Sequence, residues 1–242
     1  MVQMSTKQLR STSMLVRGLS IAVLGAFASA CGSPSPAASA AQPGKAAPTP
    51  RPDYAEADAA YYRGRAAALA TEATEEIAQT DFWRLRRGRL YIPDASNIQE
   101  LDERLADAAR SESAAGVVDA SAAILASDQT DINAHLLRSN ALGKTNHVPE
   151  ADFHRAVAQA LIDSIIHAGD GQSPESAWTA YRVKEEYEVL KAKGARFTSQ
   201  SRSGEGNRSF DILQAERVED GAKLRLYFDV TELTAKQARA PH

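Results

Sequence analysis

The chain has 242 residues, a formal net charge of −3 and a single cysteine. This length allows one or two domains once any segment removed during processing has been subtracted. One cysteine excludes an internal disulfide, and the slightly acidic balance argues against a nucleic-acid-binding protein.

Residues 1–30 have the composition of a secretory signal peptide. They contain three basic and no acidic residues, an apolar run over residues 19–27, and the small residues Ala-Ser-Ala directly before Cys31. The apolar run is too short for a convincing membrane span. Without this segment the chain keeps 25 Lys and Arg against 31 Asp and Glu, a net charge of −6.

The residues Phe-Ala-Ser-Ala-Cys31 resemble the bacterial lipobox, in which the thiol receives a lipid before cleavage. The alternative is an ordinary secretory signal cut near Ala30 with an incidental cysteine. The lipobox interpretation predicts a lipoprotein signal peptide over 1–30 and a membrane anchor at Cys31. Gly32, which follows this cysteine, then resembles the residue at the same position in lipoproteins that are released to the outer membrane. There the chain would face the periplasm.

Residues 31–53 are predicted to be the lipidated cysteine followed by a disordered tether, because Pro, Ala, Gly and Ser dominate them. Residues 54–168 are predicted to be helical. The first helix is expected over about residues 54–79, and Ser96 opens a capping-box pattern with Gln99. Asp131 is expected to cap a later helix, and residues 131–144 with 149–167 look like a degenerate tetratricopeptide unit.

One segment of this helical region, residues 81–91, interleaves aromatic side chains with arginines. It predicts a possible partner surface formed by Arg84, Arg86, Arg87 and Arg89. The alternative is structural: Phe82, Leu85 and Tyr91 fill the helical core, while the arginines lie along the surface or pair with carboxylates.

After residue 168 the spacing of apolar residues changes from a helical period to a period of two. Residues 169–242 are therefore predicted to form a small antiparallel sheet with short helices. Strands are expected over residues 178–183, 195–202, 209–219 and 224–230, with a hairpin turn at Asp220-Gly221. We expect this sheet to form one domain with residues 81–168. The predicted fold class is therefore α+β, with N-terminal helical, tetratricopeptide-like hairpins packed on a C-terminal antiparallel sheet.

The joint between the two patterns is Gly169, Asp170, Gly171 and Ser173. Gly169 is expected to end the preceding helix in a left-handed conformation, and the Asp170 carboxylate is expected to bond the turn backbone. The alternative is an acid–base site in which Asp170 orients His167, with Glu185 and Glu186 close in sequence. We favour the structural interpretation.

Motifs over about residues 81–235 are similar to those of an uncharacterised bacterial family, a domain of unknown function found in exported proteins and lipoproteins. They are Asp81-Phe82, Leu85-Arg86 and Tyr91, then Gly169-Asp170-Gly171, Ser173, Ala177, Val183, Glu186-Tyr187, Leu190 and Gly194, then Phe210-Asp211 and Tyr227-Phe228-Asp229-Val230. The resemblance supports the fold and implies no activity.

No catalytic residue, cofactor or metal site is predicted. The sequence has neither a Gly-x-Ser-x-Gly elbow nor a His-x-x-x-His or cysteine ligand spacing. We therefore expect a non-enzymatic, lipid-anchored envelope protein that binds a protein partner. A finer expectation is an immunity protein that neutralises a secreted toxin acting in the periplasm. The alternatives are an envelope enzyme acting on peptidoglycan or lipid, and a structural or stress lipoprotein.

Overall fold

The structure is a computed structural model and describes residues 54–239. These residues belong to one compact unit. The predicted signal peptide, Cys31 and the tether lie outside the described residues. Within the described part of the chain, no helix is long and apolar enough to cross a membrane.

Helices precede the sheet, as the sequence predicts, and seven such helices lie within the described residues. They are α1 (Tyr54–Leu69), α2 (Glu75–Ala78), α3 (Phe82–Leu90), α4 (Ile98–Arg110), α5 (Ala114–Ser127), α6 (Ile132–Lys144) and α7 (Val148–Ile166). Helix α1 packs on α3, and α4 to α7 each pack on the next helix along the chain. The predicted single helix over residues 54–79 is wrong, because the chain turns after Leu69 through Glu72, whose φ is 56°.

Helix starts are fixed mainly by side-chain caps. Asp131 accepts a hydrogen bond from the Ala134 N–H at 2.9 Å, which confirms the predicted cap of α6. Asp81 and Ser113 cap α3 and α5 in the same way. The predicted capping box at Ser96 is wrong, because α4 begins at Ile98 after Asn97, and Asn97 makes no side-chain capping bond.

The sheet has four strands and two neighbouring helices. The strands are β1 (Trp178–Thr179), β2 (Ala195–Glu205), β3 (Arg208–Arg217) and β4 (Lys223–Asp229), and the helices are α8 (Val183–Ala192) and α9 (Thr231–Gln237). The strand order is β1-β4-β3-β2. The α+β class is confirmed, but the sheet is mixed rather than purely antiparallel, because β1 pairs in parallel with β4.

Strand β1 is much shorter than the predicted strand over residues 178–183. The Glu185 carboxylate accepts a hydrogen bond from the Tyr181 N–H at 2.8 Å, and Arg182 is already the N-cap of α8. The chain therefore turns into a helix soon after Ala180, whose N–H still donates to the Asp229 carbonyl of β4. Because β1 pairs only with Phe228 and Asp229, it leaves the earlier part of the outer edge of β4 uncovered.

One hydrophobic cluster joins the helices to the sheet. Its fully buried members include Leu85 of α3, Leu161 and Ile165 of α7, and Leu213 and Phe228 of the sheet. Burying side chains of this size stabilises the fold by about 1.5–3 kcal/mol each. A second cluster lies between α4, α5 and α6, around Leu105, Ile124 and Ala134.

Candidate functional site

The arginines of α3 are mostly inside the protein. Arg86, Arg87 and Arg89 are buried, and only the Arg84 side chain is substantially exposed, at 39%. The predicted partner surface is therefore wrong for these three residues. Their guanidinium groups face carboxylates, as the structural alternative requires, because a buried charge needs a partner of opposite sign.

Arg86 forms the most deeply buried of these ion pairs. Its Nε and Nη2 donate to Glu185 of α8 at 3.0 and 2.8 Å, and Nη2 also donates to the Thr179 carbonyl at 2.7 Å. Burial opposes the ionisation of Glu185, but the positive charge of Arg86 outweighs it and holds the pKa of Glu185 below its usual value. The pair thus ties α3 to β1 and α8.

The neighbouring arginines have partners as well. Arg89 donates to Asp94 at 2.6 Å and lies 3.3 Å from the fully buried Asp128, which also accepts from Arg182. Arg87 lies 3.4 Å from Asp58. These ion pairs hold α3 against neighbouring segments of the chain.

The joint at Gly169–Ser173 is a loop that docks on the sheet. Asp170 Oδ1 accepts from the Gln172 N–H at 2.9 Å and from the Ser176 hydroxyl at 2.6 Å, which confirms its predicted bond to the turn backbone. The left-handed glycine is Gly171, with φ 71°, and not Gly169 as predicted. Gly169 is needed for another reason: a Cβ there would lie 2.4 Å from the Ser176 carbonyl oxygen.

The alternative acid–base site at this joint does not assemble. Asp170 is satisfied by Gln172 and Ser176, and Glu185 is paired with Arg86 on the far side of α8 from solvent. Glu186 instead faces β3. The groups that were close in sequence therefore bond to different neighbours.

Two buried polar clusters were missed by the sequence reasoning. In the first, His135 Nδ1 and His154 Nδ1 lie 2.9 Å apart, while Arg138 Nε donates to His154 Nε2 at 2.7 Å. Burial lowers the pKa of His135 to about 3 and that of His154 to about 4. The spacing of 19 residues gave no helical-face signal, because the two rings come from adjacent helices.

The second cluster pairs acidic groups beneath α8. Glu186 is fully buried next to Asp211 of β3, and Asp211 accepts two hydrogen bonds from Arg202 at 2.7 and 2.8 Å. Burial raises the pKa of Glu186 to about 9, and the negative charge of Asp211 adds to the rise. Glu186 is therefore held as a neutral carboxyl group, shielded from solvent, and is poorly placed to act on a substrate.

A groove beside β4 is the best candidate for a ligand site. It has a volume of about 440 Å³ and is lined by four basic residues, by Trp178, and by Asp170, Gln172, Leu224 and Leu226. The basic residues are Lys193, Arg217, Lys223 and Arg225. We call this feature the basic groove.

Most of the positive charge in the basic groove is not neutralised locally. Arg217 pairs with Asp220 at 2.9 Å, but Lys193, Lys223 and Arg225 form no ion pair within residues 54–239. Lys193 lies 5.4 Å from the centre of the Trp178 ring, which is buried and forms part of the wall. In a chain with a net charge of −3, this concentration of cations favours an anionic ligand.

Comparison with family models shows to which family the chain belongs. Residues 90–239 match the model of a domain of unknown function, DUF4919. The chain belongs to this family. No curated protein and no solved structure matches it.

The DUF4919 segment contains the joint, the two buried polar clusters and the whole basic groove, whereas Arg84 to Arg89 precede it. Within the part of the chain that the structure describes, no group of three or more His, Cys, Asp or Glu side chains could hold a metal ion. Membership of the DUF4919 family leaves the activity to be argued from the site.

Proposed function

We propose that this chain is a non-enzymatic, lipid-anchored envelope protein that binds a protein partner. The single observation that carries the proposal is the basic groove, whose three unpaired cations are concentrated beside a buried tryptophan. Such a surface suits a partner of opposite charge, since complementary charge guides association and determines specificity.

The cellular location is part of the proposal and depends on the sequence. The signal-peptide pattern and Cys31 at its end support lipidation at that residue and attachment to the outer membrane, facing the periplasm. We expect Cys31→Ser to lose label from a fatty-acid probe and to leave the membrane fraction. Retention of both label and membrane association in this variant would exclude Cys31 as the anchor.

The finer proposal is that the partner is a toxin delivered into the periplasm, which this protein neutralises. Such an immunity role requires the right compartment and a complementary binding surface. A strain lacking the gene should then be killed by toxin-producing sister cells and rescued by the wild-type chain. Equal survival with and without the gene would reject the immunity role while leaving partner binding in place.

Capture from the membrane tests partner binding itself. The full-length, lipidated chain is crosslinked in cells, solubilised with detergent and purified. We expect one protein to co-purify in stoichiometric amount, and in a parallel capture without crosslinking its recovery should fall at high salt because the groove is charged. If no stoichiometric protein is recovered, the chain is not a partner-binding protein.

A further inference from the structure

Strand β4 has one edge paired with β3 and an opposite edge that is covered only in part. At the covered end, the Tyr227 N–H donates to the Gly171 carbonyl at 2.8 Å, and the Asp229 carbonyl accepts from the Ala180 N–H at 3.1 Å. Main-chain groups alternate between the two edges of a strand. Tyr227 and Asp229 therefore direct their main-chain groups away from β3.

By the same alternation, Arg225 and Lys223 direct their N–H and C=O groups to this outer edge. Strand β1 pairs only with Phe228 and Asp229, and the Gly171 loop reaches only Tyr227. No described residue pairs with the outer edge at Lys223 and Arg225. An uncovered strand edge of this kind is a template for an added strand.

The uncovered edge coincides with the basic groove. Lys223 and Arg225 contribute both the free main-chain groups and two of the cations, and Lys193 and Arg217 flank them from the ends of α8 and β3. The opposite edge of the sheet, at β2, differs in charge. There Arg196 pairs with Glu216 and Arg202 pairs with Asp211, so its arginines are already neutralised.

We infer that the basic groove takes an extended acidic segment of a protein partner, which pairs with β4 as an added strand alongside Lys223 and Arg225. The inference rests on the proposed function, since it names the part of the partner that binds. Side chains alternate along a strand, so carboxylates at every second position can meet the cations. The positions between them then face Trp178 and Leu226.

A synthetic peptide provides the direct test. A ten-residue peptide that alternates glutamate with valine is added to the full chain, and amide exchange is followed by NMR. We expect binding that weakens with salt, and exchange of the Lys223 and Arg225 amides slowed by about tenfold or more in the complex. A matched peptide N-methylated at alternate main-chain nitrogens keeps its charge and should lose most of the affinity.

Two substitutions at one position separate hydrogen bonding from charge. Lys223→Gln removes only the cation, whereas Lys223→Pro also removes the outward N–H at the first residue of β4, where proline is tolerated. We expect K223P to bind the peptide more weakly than K223Q. Circular dichroism of both variants verifies that they are folded.

The outcomes distinguish this inference from the proposed function. The inference is overturned if the N-methylated peptide binds as well as its parent, if the two amides are not protected, or if the acidic peptide does not bind at low salt. Equal binding of inorganic phosphate or of anionic vesicles would likewise indicate a site for charge alone. A partner captured from cells with any of these results would retain the proposed function without the added strand.

Discussion

At the scale of single residues, burial and neighbouring charges determine whether an ionisable side chain forms an ion pair or is held neutral. Arg86 is fully buried and so is Glu186, yet Arg86 has an ion-pair partner, whereas Glu186 Oε1 has no hydrogen-bond partner among the described residues. Burial and the negative charge of the neighbouring Asp211 raise the pKa of Glu186, so this carboxyl group is neutral. The sequence could predict that arginines would pair with carboxylates, but the partner of Arg86 lies 99 residues away, beyond the reach of any local pattern.

Arg86→Met should destabilise the protein by about 3–5 kcal/mol, because it leaves the Glu185 charge buried without a partner. Adding Glu185→Met should recover part of this loss. The recovery is incomplete because the Tyr181 N–H then loses its acceptor. Urea unfolding of the wild type, both single variants and the double variant measures these differences. A double variant as unstable as the sum of the single variants would contradict the pairing.

Glu186→Gln should be more stable than the wild type at neutral pH, because glutamine keeps the shape of the neutral carboxyl group. The pKa of Glu186 is about 9 in the folded chain and 4.5 without its surroundings, so the folded wild type binds the extra proton between these values. Wild-type stability therefore falls as pH rises from 4.5 to 9. Glu186→Gln lacks this loss. The difference between its free energy of unfolding and that of the wild type should therefore grow by up to about 1.4 kcal/mol for each unit that the pH rises.

Unfolding of both proteins at pH 5, 7 and 8.5 measures this difference. A difference that does not change with pH would mean that Glu186 is ionised in the folded protein.

The buried histidine pair predicts the opposite dependence of stability on pH. In the folded chain the pKa of His135 is about 3 and that of His154 is about 4, compared with an ordinary value of 6.5. The same site also contains Glu72, Arg138, Asp131 and the Gln129 carbonyl. The unfolded chain binds these protons first, so stability is lost as pH falls below 6.5. Replacing both histidines with leucine removes that loss.

Between pH 7 and pH 5, the free energy of unfolding of the double leucine variant is therefore expected to rise relative to that of the wild type by about 1–2 kcal/mol per histidine. Its absolute stability at pH 7 is a separate quantity, since packing changes too. Chemical denaturation at both pH values gives the comparison. A gap between the two proteins that stays the same at pH 7 and pH 5 would contradict a neutral buried pair.

At the scale of elements, regular patterns were predictable and short elements were not. Alternation in β4 and the Asp220-Gly221 turn predicted the hairpin, and Gly221 has the required positive φ of 70°. Strand β1 has only two residues, so no periodicity could reveal it or its parallel pairing. The open edge of β4 in the basic groove follows from that pairing, which explains why the sequence did not predict the groove.

The Gly171 loop illustrates how an element depends on close packing. A Cβ at Gly171 would lie 2.8 Å from the Trp178 ring, whereas Gly194, with a similar positive φ of 62°, has open space around it. Gly194→Ala should therefore cost about 1 kcal/mol from backbone strain alone. Gly171→Ala should cost about 2–4 kcal/mol, because the Trp178 ring must also shift.

Thermal and urea unfolding of the two variants measures this difference. Equal losses would show that Trp178 does not pack against the loop.

At the scale of the whole molecule, charge is distributed unevenly. The chain is acidic overall, most arginines of α3 pair with carboxylates inside the protein, and three cations without an ion pair lie together in the basic groove. The sequence placed the partner surface on α3 because arginine clusters there along the chain. Lys193, Arg217 and the two basic residues of β4 are scattered over some 30 residues and meet only after folding, so no local pattern marked them.

Capture with a groove variant tests most directly whether the basic groove binds a protein partner. The triple variant Lys193→Glu/Lys223→Glu/Arg225→Glu is compared with the wild type, and the double variant Arg110→Glu/Arg155→Glu is the control, with reversals at two exposed sites on α4 and α7. We predict that the control captures the partner as the wild type does, while the groove variant recovers about tenfold less or lower still. Equal recovery by all three folded proteins would contradict the account.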